Sequence, residues 1–428
     1  MQIYRLASVD DLAVASGRKF RSDLEAALVL FFKLAERYFD GPTRNCLNSL
    51  AALASDSTAC RDWCETIHEI RDFCSGVDAV PNSSFTSHLD IDRGDAGRVA
   101  ELLLWQLCGA ITTPGARVPA PPLACPARLA IGGLGVLRLE RIAPDARCAQ
   151  LDWTDNRPLL RTKSGELVLD AGDWEPYIRL AGSGLRAAIP MEDRALASPR
   201  LQDFPIVGAR DYASKWGSAV IRGACDIADY SAVASAVVER FITHVLPLLC
   251  SDQAIGSASR QEALGLVFLP AILDRQDQMT ECLLHEAMHQ YLFRLESCAR
   301  LFDPVSPSEE EFFSPWRRDK RPLRMTLHGS FVFAAVADLY LWVAESPRWD
   351  LVSAVAQRRA YQRYRESSIA LEVVRKYGVM STIGRRVVDA LGADLANIRA
   401  RLAPQPKDVA EVDRTIDEHL CAHANHLH

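Results

Sequence analysis

Apolar residues recur along this chain in two rhythms. From about Ser8 to Cys108 they return every three or four positions, as in Leu24, Ala27, Leu28, Phe31, Leu34 and Ala35, and Val99 to Leu107 repeats the habit, so a helical N-terminal region (1–112) is expected. Gly41-Pro42 and Val80-Pro81-Asn82-Ser83-Ser84 break it into pieces. Pro114, Pro119, Pro121, Pro122 and Pro126 cannot belong to a helix and mark a connection. Beyond them, a β-rich, loop-rich middle region (127–215) is expected from short runs at Leu129 to Ile142, Pro158 to Leu160 and Leu167 to Leu169, with a hairpin turn at Lys163-Ser164-Gly165. The cluster Gly132-Gly133-Leu134-Gly135 lacks the strand-loop-helix setting of a phosphate loop and reads as a turn.

The helical rhythm returns in a third region (216–428). Asp229 to Cys250 reads as one long amphipathic helix, and Leu264 to Leu269, closed by Pro270, reads as a strand. A helix is expected from about Asp274 to Ser297. A loop around Pro304, Pro307 and Pro315 follows, and a very apolar helix then runs through about Val343, with Pro322 in its first turn. Asp350 to Leu402 is again helical, and Gln405 to His428 reads as a charged tail containing His419, His423, His426 and His428. The fold class is therefore mainly α with a small β component (α+β): a helical N-terminal region, a short mixed or antiparallel sheet, and a helical C-terminal region.

Composition narrows the class of protein. A length of 428 residues, with 49% hydrophobic and 24% charged, describes an ordinary globular chain able to bury a sizeable core. Net charge is −6 with Lys and Arg dispersed, so neither a nucleic acid nor an anionic membrane surface is expected as a partner. Met1-Gln2-Ile3-Tyr4-Arg5 lacks a signal peptide's apolar core, and no stretch is expected to span a bilayer, so a cytoplasmic location is expected. Twelve cysteines, irregularly spaced and without a CxxC pair, read as reduced thiols, Cys282 among them as core packing.

The chemistry concentrates in His285-Glu286-Ala287-Met288-His289. Positions four apart share a helix face, so both imidazoles can address one metal ion, while Glu286 can reach a water or substrate beside it. A catalytic site needs a third protein ligand. The metzincin continuation is excluded, because Leu292 and Leu295 stand where Gly and His are required. A carboxylate from a following helix is disfavoured, since Glu309 to Glu311 lie in the Pro-rich loop and Glu296 lies on the same helix. His328 is the only histidine between His289 and the tail, and it is the leading candidate. The preceding strand could pair with an extended peptide.

The HExxH helix, the aromatic-Arg segment Trp316-Arg317-Arg318, then Arg321-Pro322-Leu323 and His328-Gly329-Ser330-Phe331-Val332-Phe333 together resemble the HExxH-motif peptide-modification proteins of ribosomally made peptide natural product pathways. The resemblance is specific over roughly Thr280 to Val343. It implies an iron(II)- and 2-oxoglutarate-dependent oxygenase that uses O2 to hydroxylate a side-chain β-carbon of a precursor peptide, with iron on His285, His289 and His328. Non-haem iron oxygenases commonly use two histidines and a carboxylate, which keeps Asp338 and Glu286 open as ligands. Such an enzyme must also neutralise the co-substrate's distal carboxylate, and Arg321 and Arg324 are the arginines placed for it. Two other readings stand beside this one: a zinc peptidase with Glu286 as general base, and a non-catalytic peptide-binding protein.

Overall fold

In the computed structural model of the chain, helices dominate and a small mixed sheet sits among them, as the periodicity predicts. The structure describes residues 8–38, short pieces between 43 and 189 that are chiefly strands, and 210–424 apart from 250–255, 262, 307–310, 313, 317–319 and 347–352. The expectations at Glu309, Glu310, Arg317, Arg318, His426 and His428 lie outside the described residues, as do the isolated histidines His68 and His88.

Helix α1 (Val9–Tyr38) belongs to the expected N-terminal helical region. Among the described residues, β1 (Val118–Pro119) lies in the Pro-rich connection, and the middle region holds the short strands β2 (Arg128–Ile131), β3 (Gly135–Arg138), β4 (Cys148–Thr154), β5 (Arg157–Thr162), β6 (Gly165–Val168) and β7 (Trp174–Pro176). They form two small antiparallel sheets, ordered β1-β4-β5-β6 and β2-β3-β7. Thr162 pairs with Gly165 across the expected Lys163-Ser164 turn, and Ile131 pairs with Gly135 across the glycine cluster.

Two further strands of that region, β8 (Ile178–Gly182) and β9 (Leu185–Ile189), leave it for a sheet completed by residues beyond 215. After α2 (Arg210–Tyr230) and α3 (Ala232–Phe241) come β10 (His244–Leu248), β11 (Ala258–Ser259) and β12 (Leu266–Pro270). The order is β11-β12-β10-β9-β8, with β9, β10 and β12 parallel and the two outer strands antiparallel. The sheet thus joins both sides of the expected 215/216 boundary. It also corrects the single helix expected over Asp229 to Cys250. β10 is buried at every position, and a strand covered on both faces reads as a continuous apolar run, with no alternation to betray it.

The HExxH helix is α4 (Gln276–Cys298), and the apolar helix is α5 (Leu323–Glu345), entered from the short pair β13 (Glu311–Phe312) and β14 (Arg321–Pro322). Helices α6 (Ser353–Tyr377) and α7 (Thr382–Arg401) follow. The expected charged tail is instead a helix, α8 (Pro406–Ala424), whose Val412 and Ile416 are buried. Arg358 and Arg365 of α6 tie it down through Glu411 and Asp413. Its apolar stripe is only one residue per turn, too narrow to register against so many charges.

α5 is the centre of the core, buried along nearly its whole length. It is long and apolar enough to cross a membrane, contrary to the expectation that no stretch would be, and 83% of its most apolar window is buried inside the protein. α4 and α5 run antiparallel, and their contacts read like rungs: Glu296 meets Arg324, His289 meets His328, His285 meets Phe333, and Glu281 meets Tyr340. α6 crosses back along α5, where the buried hydroxyls of Ser330 and Ser367 each donate to the other residue's carbonyl, at 2.8 and 2.6 Å.

Candidate metal centre

β12 delivers the chain directly into α4, and the buried Gln290 locks that junction by accepting from the Gly265 amide at 2.8 Å. Gly265 has φ +93, a left-handed conformation that glycine adopts without strain, and a Cβ there would meet Thr243 Oγ1 at 2.5 Å. The register of α4 against the sheet is thereby set, and with it the face that carries the site. That face is a stripe of Glu281, His285, His289 and Glu296, spaced by four, four and seven residues along a 3.6-residue repeat.

The antiparallel rungs bring His328 to the same place. Nδ1 of His328 lies 3.2 Å from Nδ1 of His289, and the ring centroids of His285 and His289 are 4.9 Å apart. Phe293 and Phe333 wall the three imidazoles with apolar rings. Burial in those surroundings holds His285 down to about 4, with Arg363 adding to the effect and Glu281 opposing it. His289 is held well below its ordinary range by burial and then by His285, His328 and Arg324. Both rings are therefore neutral at pH 7, the form in which imidazole binds a metal.

Behind His328, Glu296 Oε2 stands 3.1 Å from Nε2, a close contact short of full hydrogen-bond alignment. A carboxylate in this position favours a proton on Nε2, the tautomer that would turn the Nδ1 lone pair toward His289. Burial alone would raise the Glu296 carboxyl, yet His328 and Arg324 bring it down to about 2. Arg324 grips both carboxylate oxygens, with Nε at 2.8 Å from Oε1, and spends Nη2 also on Gln261 at 2.8 Å. The structure thus gives Arg324 a different occupation from the co-substrate contact expected of it. Arg321 sits half-buried on β14, seven residues before His328.

Glu286 is fully buried, its Oε1 accepting from Ser257 at 2.6 Å and lying 3.9 Å from His285 Nε2. Oε2 has no hydrogen-bond partner among the described residues. Burial raises this carboxyl to about 7, although the Ser257 and Ser259 hydroxyls pull the other way. Asp338, kept open as a ligand, is removed from the site: it lies ten residues past His328, roughly 15 Å along the axis, and is bound by Tyr230 at 2.7 Å and Arg401 at 2.6 Å.

Among the described residues no three His, Cys, Asp or Glu side chains enclose a point as an ion would require. The donor chemistry nevertheless fits one. The 3.2 Å separation of the two imidazole nitrogens, itself a hydrogen-bond distance, also suits two ligands on a common ion with bonds of about 2.1 Å. His285, His289 and His328 would hold it, with Glu296 orienting the third.

Sequence reasoning passed over several of these residues. Glu296 was considered only as a ligand, although its place two turns beyond His289 on the same face was legible as a partner to one. Glu281, bound to Tyr340 at 2.5 Å and Arg363 at 2.9 Å one turn before His285, was equally legible by spacing. Ser257 carried no signal, nor did the packing of the Trp316 indole onto Gly329 and, at 4.9 Å between centroids, onto Phe333. No protein-family model matches the chain, and neither does any curated protein.

Proposed function

We propose that this chain is an iron(II)- and 2-oxoglutarate-dependent oxygenase that hydroxylates a side-chain β-carbon in a ribosomally made precursor peptide, acting in the cytoplasm. The observation that carries this reading is the approach of His328 to His289 at 3.2 Å, which supplies a third imidazole where the resembling family implies one. Iron, 2-oxoglutarate and O2 would supply the oxidising chemistry. The chain's part is to hold and orient. Glu296, kept ionised by His328 and Arg324, would orient the His328 ring, and the rings of Phe293 and Phe333 pack against the imidazoles. Arg321 is the arginine we assign to the co-substrate's distal carboxylate, the role that the resemblance implies for this basic segment.

A second reading has one observation of its own in its favour. Glu286, raised to about 7 in a buried site, is poised as the general base that a zinc peptidase needs to take a proton from the attacking water. The test is to measure iron content and succinate formation from 2-oxoglutarate for the wild type and His328→Ala. Iron binding and succinate formation that are lost together in His328→Ala support the oxygenase. A protein that retains zinc, forms no succinate and cleaves peptides without 2-oxoglutarate overturns it.

A further inference from the structure

The segment Gly256–Gln261, which carries β11, is fastened at several points around the site. Ser257 Oγ donates to Glu286 Oε1 at 2.6 Å, and Gln261 Oε1 accepts from Arg324 Nη2 at 2.8 Å. Between them, Ala258 pairs with Phe268 and Ser259 with Val267 on β12, and Ala258 packs into the apolar cluster of Leu246, Leu266 and Phe268. The Ser257 hydroxyl therefore sits on backbone held to β12 rather than to α4.

What it restrains is a carboxylate with somewhere to go. Glu286 neighbours His285 in sequence, its Oε1 is 3.9 Å from His285 Nε2, and its Oε2 has no partner among the described residues. Carboxylate oxygen is a good ligand for the divalent ions that imidazoles bind. A buried carboxylate deprived of the Ser257 hydrogen bond keeps only the pull of the Ser259 hydroxyl, and a divalent ion on the adjacent imidazoles would offer a replacement.

We propose that Ser257 is a positioning residue that keeps the Glu286 carboxylate off the metal, so that the ion is held by imidazoles and Glu286 stays available to the substrate side of the site. This inference rests on the metal reading given above. It concerns this chain's own strap, and it holds whether the ion is iron or zinc.

The experiment uses the full chain and cobalt(II) as probe, reading the visible ligand-field spectrum and the cobalt affinity of the wild type, Ser257→Ala, Ser257→Thr and Ser257→Ala/Glu286→Gln. Ser257→Ala is expected to shift the bands and tighten cobalt binding by about tenfold, the scale on which groups just outside a metal shell act. Ser257→Thr, which keeps the hydroxyl, is expected to match the wild type, and Glu286→Gln in the Ser257→Ala background to restore the wild-type spectrum. A Ser257→Ala spectrum identical to the wild type overturns the proposal, as does a shift that survives Glu286→Gln. Cobalt that does not bind the wild type, or that binds His289→Ala equally well, overturns the metal reading and this inference with it.

Discussion

Glu296 stands 3.1 Å from Nε2 of His328, on the side of the ring away from His289, whose own Nδ1 faces the ring's other nitrogen at 3.2 Å. One imidazole is thus set between a carboxylate and a second imidazole. The carboxylate favours the proton on the nitrogen beside it, which would leave the other nitrogen to take a metal.

Removing that carboxylate's charge should loosen the ion without touching a ligand. Glu296→Gln is expected to weaken iron or cobalt binding by about ten- to a hundredfold, measured as metal retained after dialysis against a graded chelator. Retention equal to the wild type would reduce Glu296 to an ordinary partner of Arg324.

The same residue predicts an acid limb in the stability of the metal-free protein. Its folded-state carboxyl is depressed from 4.5 to about 2, so its contribution is fully present above about 4.5 and is lost as pH falls toward 2. The loss is on the order of 3 kcal/mol. Denaturant unfolding between pH 5 and 2 should show this limb in the wild type and a flatter one in Glu296→Gln.

Arg324 and Arg321 should separate. Arg324→Ala strips Glu296 of its counter-charge and is expected to lower metal retention, as Glu296→Gln does. Arg321→Ala is expected to leave iron bound and to raise the 2-oxoglutarate concentration needed for half-maximal succinate formation. An unchanged requirement would return the co-substrate contact to some other group.

Gly329→Ala tests the wall beside the imidazoles. Alanine usually stabilises a helix interior over glycine by up to about 1 kcal/mol, but here its Cβ would lie 1.9 Å from Trp316 Cζ2. Overpacking of that kind costs about 1–3 kcal/mol, so net destabilisation is expected, together with a change in tryptophan emission as the indole leaves Phe333. A stabilised variant with unchanged emission would contradict the packing.

Glu286→Gln divides the two chemistries. In a peptidase the loss of the general base should abolish peptide cleavage by several orders of magnitude. In the oxygenase no such base is required, and succinate formation should fall by about ten- to a hundredfold at most.

The α4 and α5 helices, the HExxH spacing and the helix-rich class were all legible in the chain, because helical periodicity and i,i+4 geometry are local properties that need no partner to be read. The pairing of Thr162 with Gly165 was legible from turn-forming residues between two β-leaning runs. β10 was not, since burial on both faces erases the alternation that marks a strand, and α8 was not, since its narrow stripe becomes apolar surface worth burying only against α6. His328 could be nominated from sequence, but only the antiparallel rungs of α4 and α5 set its Nδ1 against that of His289 and its Nε2 against Glu296. The employment of Arg324 by Glu296 and the grip of Ser257 on Glu286 join residues 28 and 29 positions apart. Such contacts depend on how helices and a sheet edge pack, and packing is a property of the whole fold that no single stretch of chain encodes.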